Sequence, residues 1–396
     1  MTELSSEVIP DRAVAESGRF QLDRVLTIIS GHFIHDTYSA FLAPLLPSLI
    51  EKLSLSYTQA GLLSTIMQLP SLLNPIIGYL DDLLDLRILV ILAPAVSATT
   101  MSCLGLAPDY FSLTILLFIT GLSITAFHAP SPAMIARVSG QQVGRGMSMY
   151  MAAGELGRTV GPLLASWGLL TFTLEGMYPI ALLGWIASLV IFIRFKGIPV
   201  HVEKQVGFRE VVPIARRLFL PIVGILFFRS FIITGLGVYL PTLLEGAGAS
   251  VWKANSTLAV YQLAGVFGAF WGGTVSDRLG RKPVLLVISI LAPLMVILFL
   301  QAEGWLIIPI LIVAGFLSLS AQPILLATVQ DQLPHHRSVG NGLFMMISFI
   351  CLSLSAVGIG FLGDRVGLHQ AFTWVAAAGL LTLPFILALP ARPESP

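Results

Sequence analysis

Long uninterrupted runs of apolar residues, each about 18 to 25 residues in length, recur from one end of this 396-residue chain to the other. A lipid-exposed segment of that length must satisfy its backbone hydrogen bonds internally, as a helix does. A membrane β-barrel shows short alternating segments instead, and the sequence has none. Only 11% of the residues are charged and the mean hydropathy is +0.88, whereas soluble domains carry about 25% charge. The sequence therefore predicts an all-α membrane protein.

Polar breaks divide the apolar runs into twelve predicted transmembrane helices. They lie near residues 24–50, 57–80, 88–106, 110–136, 144–170, 177–196, 213–244, 253–275, 283–300, 305–330, 338–362 and 369–390. With a cytoplasmic amino terminus, 17 of the 22 basic residues fall in cytoplasmic segments and three fall outside. Because basic loops are retained in the cytoplasm, this asymmetry predicts a multi-pass protein of the inner (plasma) membrane with both termini cytoplasmic.

Two segments of the first half of the chain recur in the second half. GYLDDLLDLR at 78–87 aligns with GTVSDRLGRK at 273–282, and VGRGMSMYM at 143–151 aligns with VGNGLFMMI at 339–347. Both offsets are close to half the chain length, which indicates an internal duplication. The predicted organisation is a cytoplasmic amino-terminal segment (1–23), a six-helix bundle (24–196), a cytoplasmic linker (197–212), a second six-helix bundle (213–390) and a cytoplasmic tail (391–396).

Two parallel six-helix halves resemble the architecture of the major facilitator superfamily, in which substrate binds between the halves. GGTVSDRLGRK at 272–282 is similar to the superfamily's signature between helices 2 and 3, here repeated between helices 8 and 9. The resemblance implies a gating latch, in which Gly273 allows close helix approach and Asp277 holds a neighbouring helix end. Positive-inside anchoring explains the basic residues equally well, but it does not explain the Gly and Asp spacing. The predicted latch residues are Gly273, Asp277, Arg278, Arg281, Gly78 and Asp82.

Three further segments, GHFIHDTYSAFLAPLLPSL, ITAFHAPSPAMIARVSG and GELGRTVGPLL, together resemble the fosmidomycin-resistance family of drug exporters. In that family, His32 and Asp36 fall in a His-Phe-Phe-Asn-Asp pattern and His128 falls in a Phe-His-Pro pattern. The chain departs from the family in having Glu155 and Arg158 where uncharged residues are usual. The resemblance implies a secondary transporter that confers antibiotic resistance by proton-coupled efflux, with fosmidomycin as the reference substrate.

The segment GRTVGP in the fifth predicted helix also resembles a signature of superfamily antiporters. Gly154, Gly157 and Gly161 form one face of small residues, which permits tight helix packing, and Pro162 is expected to bend the helix. The signature favours export over uptake. Glycine-rich packing without any directional meaning is the alternative.

Asp36 lies close to the middle of the first predicted span, where an ionised side chain costs about 2.5 to 3.5 kcal/mol. His32 precedes it by four residues and shares its helical face. A carboxylate beside an imidazole inside the membrane can exchange protons during a transport cycle. We therefore expect Asp36, His32 and Glu155 to couple transport to protons. The alternative is a fixed hydrogen bond that packs the first helix.

Two arginines also fall within predicted spans. Arg158 follows Glu155 by three residues, so the two can form a self-compensating pair, or Arg158 can exchange Glu155 for an anionic substrate. Arg229 has no acidic residue within two helical turns, and because its helix is the counterpart of the first, we expect it to face the cavity opposite Asp36. A guanidinium binds carboxylate, phosphate or phosphonate in a fork geometry. Hydrogen bonds to carbonyls near Gly235 are the alternative.

The predicted substrate contacts are Arg158, Arg229, His35, His128, Gln68, Tyr261, Gln262 and Gln322. The glutamines and Tyr261 fit interhelical hydrogen bonding equally well, and His128 fits a structural role. The expected partners are a small anionic drug-like or metabolic compound, protons and the lipid bilayer, and the expected state is a monomer.

Other classes of protein fit the sequence less well. A membrane enzyme is disfavoured because HExxH, a P-loop and a Cys and His metal cluster are all missing, so no cofactor and no metal are expected. The net charge of +1 predicts no nucleic-acid partner. Within transport, uptake or uniport of an organic anion, and lipid flipping on the same fold, stay open.

Overall fold

The computed structural model describes residues 19–74, 76–77, 87–195, 212–333 and 337–390, which form helices and contain no strand. The helices are α1 (Leu22–Ser39), α2 (Leu42–Leu53), α3 (Tyr57–Gln68), α4 (Arg87–Ser102), α5 (Tyr110–His128), α6 (Ser131–Val138), α7 (Val143–Gly176), α8 (Leu182–Arg194), α9 (Val212–Thr234), α10 (Leu240–Gly246), α11 (Val251–Leu279), α12 (Arg281–Gln301), α13 (Ile307–Gln332), α14 (Arg337–Val366), α15 (Leu368–Gly379) and α16 (Thr382–Leu387). The predicted all-α class is confirmed. Gly78, Asp82, nearly all of the predicted linker and the tail lie outside the described residues.

Several apolar runs that are continuous in the sequence are interrupted in the structure. The run at 110–136 breaks between α5 and α6 at Pro130, and the run at 24–50 breaks between α1 and α2. Among the described residues, seven helices are long and apolar enough to cross a membrane, or eight if the bent pair 140–176 and 178–194 forms one span. The described helices thus support a multi-span membrane protein, and the count of twelve spans stays a prediction.

A tightly packed face joins α7 to α1. A Cβ added at Gly157 would lie 3.0 Å from the Thr37 backbone nitrogen, and one at Gly161 would lie 2.7 Å from the Ala40 methyl carbon. Real Cβ atoms essentially never lie within 3.0 Å of another atom, and at both positions the nearest atom is closer than that, so only glycine fits. The face of small residues expected on this helix is confirmed. Pro162 lies inside α7, whose non-helical residue is instead Thr173, with φ of 64°.

The largest apolar core contains residues from both halves of the sequence. Phe41 and Leu45 from the first half and Leu236 and Phe372 from the second are almost completely buried in it. Between α9 and α10 the chain forms one wide π turn, Gly235–Tyr239, which packs against α2. These contacts hold the first and second halves of the sequence together around the middle of the molecule.

A carboxylate from α14 ties the two sequence halves together at the start of α3. The Asp364 Oδ1 atom accepts a hydrogen bond from the Tyr57 amide at 2.6 Å, and Oδ2 accepts one from the Thr58 amide at 2.9 Å. The Tyr239 hydroxyl lies 3.0 Å from the Tyr57 carbonyl and 2.9 Å from the Ala356 carbonyl. The first amides of a helix have no partner within the helix, so Asp364 acts as a cap supplied by the other half of the chain.

Candidate functional site

Asp36 lies between two imidazole rings in the interior of the helices from the first half. Its Oδ1 atom is 3.1 Å from His128 Nε2, and its Oδ2 atom is 3.4 Å from His32 Nε2. Asp36 is 4% exposed and His32 is 3% exposed, whereas 32% of the His128 side chain is exposed. The carboxylate is therefore sheltered from solvent, and His128 is its most accessible neighbour. Together they form the acid–histidine cluster (His32, Asp36 and His128).

Helix α7 fixes the orientation of the acid–histidine cluster. The His32 Nδ1 atom lies 2.9 Å from the Tyr150 carbonyl, which is a hydrogen-bond acceptor, so this nitrogen carries the proton. The other ring nitrogen of His32, Nε2, therefore faces Asp36. The Tyr150 ring stacks on His32 with centroids 3.9 Å apart. A Cβ at Gly154 would lie 2.6 Å from His32 Nε2 and 3.0 Å from Asp36 Oδ2, so glycine at this position makes room for the cluster.

His35 has a different environment from its neighbours in the sequence. It is fully buried, its Nδ1 atom lies 3.1 Å from the Ser97 hydroxyl, and its ring stacks on Phe127 at 4.7 Å between centroids. The Ser97 hydroxyl in turn lies 2.9 Å from the Ser123 hydroxyl. This arrangement provides hydrogen bonds between α1, α4 and α5. The position of His35 suits helix packing better than the predicted substrate contact.

The acid–histidine cluster also has the composition of a cation site. One ligand atom from each of His32, Asp36 and His128 lies within 4.8 Å of the others. Two imidazoles and one carboxylate are common ligands of divalent metals. The charge of Arg158 also acts on Asp36, and this positive charge opposes a second cation there. The sequence did not predict this grouping, because His128 is 92 residues from Asp36.

A cavity of about 130 Å³ lies between the two sequence halves, and Arg158, whose charge acts on Asp36, is part of its lining. Ser39, Met67 and Arg158 line it from the first half, and Gly237 and Gln262 line it from the second. We call it the larger cavity. Nearly half of the Arg158 side chain is exposed, and its Nη2 atom pairs with Glu155 Oε1, so the predicted pair is confirmed. The larger cavity thus offers a guanidinium and an amide in otherwise apolar walls.

Arg229 does not line the larger cavity. It lines a second cavity, of about 20 Å³, among α9, α12, α13, α15 and α16, and we call this the Arg229 cavity. The Nε and Nη2 atoms of Arg229 are buried and have no hydrogen-bond partner among the described residues. The hydroxyls of Tyr261 and Ser318 are likewise buried without a partner. The sequence predicted the type of residue, but it placed Arg229 opposite Asp36.

The remaining predicted substrate contacts lie apart from these cavities. The Gln68 amide nitrogen lies 3.3 Å from the Ser64 carbonyl of its own helix, and Gln322 is half-buried on α13. Tyr261 is buried close enough to Arg229 and Ser318 to interact with both, but it does not line the Arg229 cavity. Only Arg158 and Gln262 of the predicted set line the larger cavity.

The predicted latch of the second half forms a compact ion pair network. The Arg281 Nη1 atom lies 2.8 Å from Asp277 Oδ1, and its Nε atom lies 3.3 Å from Asp331 Oδ2 on α13. Arg278 is exposed. The packing role predicted for Gly273 is wrong, because a Cβ there would meet no atom within 4 Å. The close contact belongs to Gly272, where a Cβ would lie 2.7 Å from the Ser320 Cβ.

Three residues of these sites were not singled out from the sequence. Tyr150 orients His32, Ser97 holds His35, and Ser318 lies at the Arg229 cavity. Each is a polar residue inside an apolar run, which is a signal shared with many residues that only join helices. Their roles depend on contacts between distant helices, so their spacing in the sequence does not distinguish them.

Comparison with known proteins places this architecture among membrane carriers. A family described as the Major Facilitator Superfamily matches residues 28–356. The chain is 24% identical to the fosmidomycin resistance protein of Escherichia coli (strain K12), over 97% of each chain. It is also 24% identical, over 96% of each chain, to the uncharacterized MFS-type transporter YfnC of Bacillus subtilis (strain 168). A solved structure of a bacterial homologue of the human lysosomal transporter Spinster, inward-facing and occupied, superposes with a TM-score of 0.80 at 15% identity, covering 93% of this chain and 97% of that one.

Proposed function

Because the chain belongs to the Major Facilitator Superfamily, and is therefore a multi-span membrane transporter and not an enzyme, we propose that it exports a small anionic compound in exchange for protons. The observation that carries this proposal is the position of Asp36 between His32 and His128, beside a cavity that contains Arg158. A buried carboxylate with two imidazoles is suited to hold a proton, and a guanidinium in the adjacent cavity is suited to hold an anion.

Proton entry is proposed to pass through His128, the most exposed member of the acid–histidine cluster. Asp36 takes up and releases this proton during the cycle, while Arg158 binds the anionic group of the substrate and Glu155 competes with the substrate for it. In an exchanger, the proton and the substrate are carried in opposite half-cycles.

The proposed substrate carries a phosphonate, phosphate or carboxylate group, and fosmidomycin is the first compound to test, because a relative over the whole chain is a fosmidomycin resistance protein. Arg158 binds the anionic group, and Gln262 and Ser39 offer hydrogen bonds from the opposite walls of the larger cavity. A lipid flippase needs an apolar cavity for the lipid chains. The polar groups in the larger cavity therefore favour a small polar substrate.

Alternating access is proposed to arise from rocking of residues 24–196 against residues 213–390 in an inner membrane, with both termini in the cytoplasm and the protein as a monomer. In this orientation the contact of Asp364 with the start of α3 closes the outer end. The ion pairs of Arg281 with Asp277 and Asp331 act as a latch that joins α11, α12 and α13 within the second half, at its cytoplasmic end. In each transport step, one end of the protein opens and the other end closes.

The experiment that tests this proposal is proton flux in proteoliposomes, followed with a pH-sensitive dye after addition of fosmidomycin or a panel of organic anions. Wild type is compared with Asp36→Asn and Arg158→Gln, and Asp109→Asn, an exposed helix cap, is the matched control. We expect substrate-driven proton movement in wild type and in the control, and none in the other two variants. Substrate that equilibrates without proton movement in wild type indicates a uniporter and rejects the coupling role of Asp36.

A further inference from the structure

Arg229 is a cation inside the helices of the second half whose counter-charge is missing from the described residues. Arg229 is half-buried as a residue, but its Nε and Nη2 atoms are buried and have no hydrogen-bond partner among the described residues. A buried charge without a partner is one of the costliest features a folded protein can have. By contrast, the other arginine within a predicted span, Arg158, is paired with Glu155. The unpaired state of Arg229 therefore requires a compensating group.

The groups around Arg229 have the chemistry of an anion site. Tyr261 is 1% exposed and Ser318 is 3% exposed, and the hydroxyl of each is buried and makes no hydrogen bond within the part of the chain that the structure describes. Both lie close enough to Arg229 to act together with it, and Ser318 lines the same cavity. Two O–H groups and one guanidinium supply several donors, so an acceptor with negative charge satisfies all of them at once.

The walls of the Arg229 cavity limit the size and polarity of the ligand. Its lining includes the apolar side chains of Ile232, Ile288 and Pro293 and the hydroxyls of Ser289, Ser318 and Thr382. Its volume of about 20 Å³ is close to that needed for a single water molecule, so a large organic anion does not fit. A small inorganic anion needs only the donors already present. We propose that the Arg229 cavity binds a small monovalent inorganic anion of the halide or nitrate type, at a site separate from the substrate in the larger cavity.

Binding of such an anion stabilises the folded protein by mass action, which makes the site measurable without transport. The purified full-length protein is placed in sodium gluconate, and its unfolding temperature is followed while bromide or chloride replaces gluconate at constant ionic strength. We expect a saturable rise in wild type. Arg158→Gln, which alters the larger cavity, is the matched control and keeps the rise. Arg229→Gln loses it.

A second variant keeps the test decisive if Arg229→Gln does not fold. Tyr261→Phe removes one proposed donor and leaves the ring in place, so it should need about 10-fold more bromide for half of the rise, as expected for a lost hydrogen bond to a charged group. Ser318→Ala should act in the same direction.

Three results would overturn the proposal. An unfolding temperature of wild type that does not depend on the halide means that water alone fills the cavity. A rise that persists unchanged in Arg229→Gln and Tyr261→Phe means that bromide binds elsewhere. A rise produced by fosmidomycin and not by halide, and lost in Arg229→Gln, means that the cavity belongs to the substrate path. Proton flux of Arg229→Gln in gluconate, measured separately, tests the proposed transport function independently of this site.

Discussion

The two halves of the chain each contain an ionisable group among their helices. The two groups differ in whether neighbouring side chains offset their charge. Asp36 has His32 and His128 against its two oxygens, and α7 packs over it through Gly154. Arg229 has a cavity and two unpartnered hydroxyls beside it. The first group is compensated by the chain itself, whereas the second requires a ligand. In the proposals above, the first half therefore contains a site for protons and the second a site for an anion.

The largest expected effect separates a histidine that flanks Asp36 from one that does not. His128→Gln removes the accessible imidazole from Asp36, and we expect proton-coupled efflux to fall by on the order of 100-fold, the scale of a lost proton-transfer group. His35→Gln is the matched control, because His35 bonds to Ser97 and not to Asp36. Proton flux in proteoliposomes measures both. Equal losses in the two variants would contradict a specific role for the cluster.

Because Asp36 has charge partners and Arg229 has none among the described residues, replacing each by an apolar residue should change stability in opposite directions. Asp36→Leu leaves two imidazoles without their partner, so the free energy of unfolding should fall by about 3 to 5 kcal/mol. Arg229→Met removes an uncompensated charge, so in an anion-free buffer the free energy of unfolding should rise by about 1 to 4 kcal/mol. Denaturant titration of the purified protein in gluconate measures both changes. A loss of stability in Arg229→Met would show that Arg229 is already compensated.

The tight packing over Asp36 predicts a smaller effect from a single methyl group. Gly154→Ala places a Cβ 3.0 Å from Asp36 Oδ2 and closer still to the His32 ring, so the free energy of unfolding should fall by about 1 to 3 kcal/mol. Gly144→Ala on the same helix is the control, because its Cβ meets no atom within 4 Å. Thermal unfolding compares the two. If they behave alike, the cluster is less closely packed than its contacts indicate.

The smallest predicted effect tests whether the two halves separate at the Asp364 contact. Asp364→Asn weakens a helix cap and should favour the opposite state by about 1 kcal/mol, which corresponds to about fivefold faster labelling of a Ser39→Cys thiol in the larger cavity. The two native cysteines, Cys103 and Cys351, are free and are replaced by serine in this assay. Asp109→Asn, a cap within one half, is the control and should leave the labelling rate unchanged.

The sequence predicted contacts within the candidate site best where the contacting residues are close together in the sequence. His32 and Asp36 are one helical turn apart, so periodicity alone placed them on one face. His128 approaches Asp36 from another helix, and the sequence offered for it only a motif in which a structural role was equally plausible. Glu155 and Arg158 were predicted as a pair because their spacing of three residues determines the contact.

Arg229 shows where this reasoning fails. Apart from Ser230 and Thr234, the residues around it in α9 are apolar, so no polar stripe indicates which side of the helix faces a cavity. Because the helix of Arg229 is the counterpart of the first helix, we expected Arg229 to lie opposite Asp36. This correspondence does not predict how the helix is rotated about its own axis. Gly272 and Gly273 present the same difficulty, because adjacent glycines point in different directions and the sequence does not distinguish the one in contact with Ser320.

The wide π turn at Gly235–Tyr239 has a mechanical consequence. Each residue of a helix advances the side chains by about 100° around its axis, so the extra residue of a π turn changes the angular phase of everything that follows. With this angular phase, the Tyr239 hydroxyl lies within hydrogen-bond distance of the Tyr57 and Ala356 carbonyls. Deleting one residue of the turn would rotate α10 away from α2 while leaving its composition unchanged. The fit between the two halves is therefore set by a count of residues as much as by their chemistry.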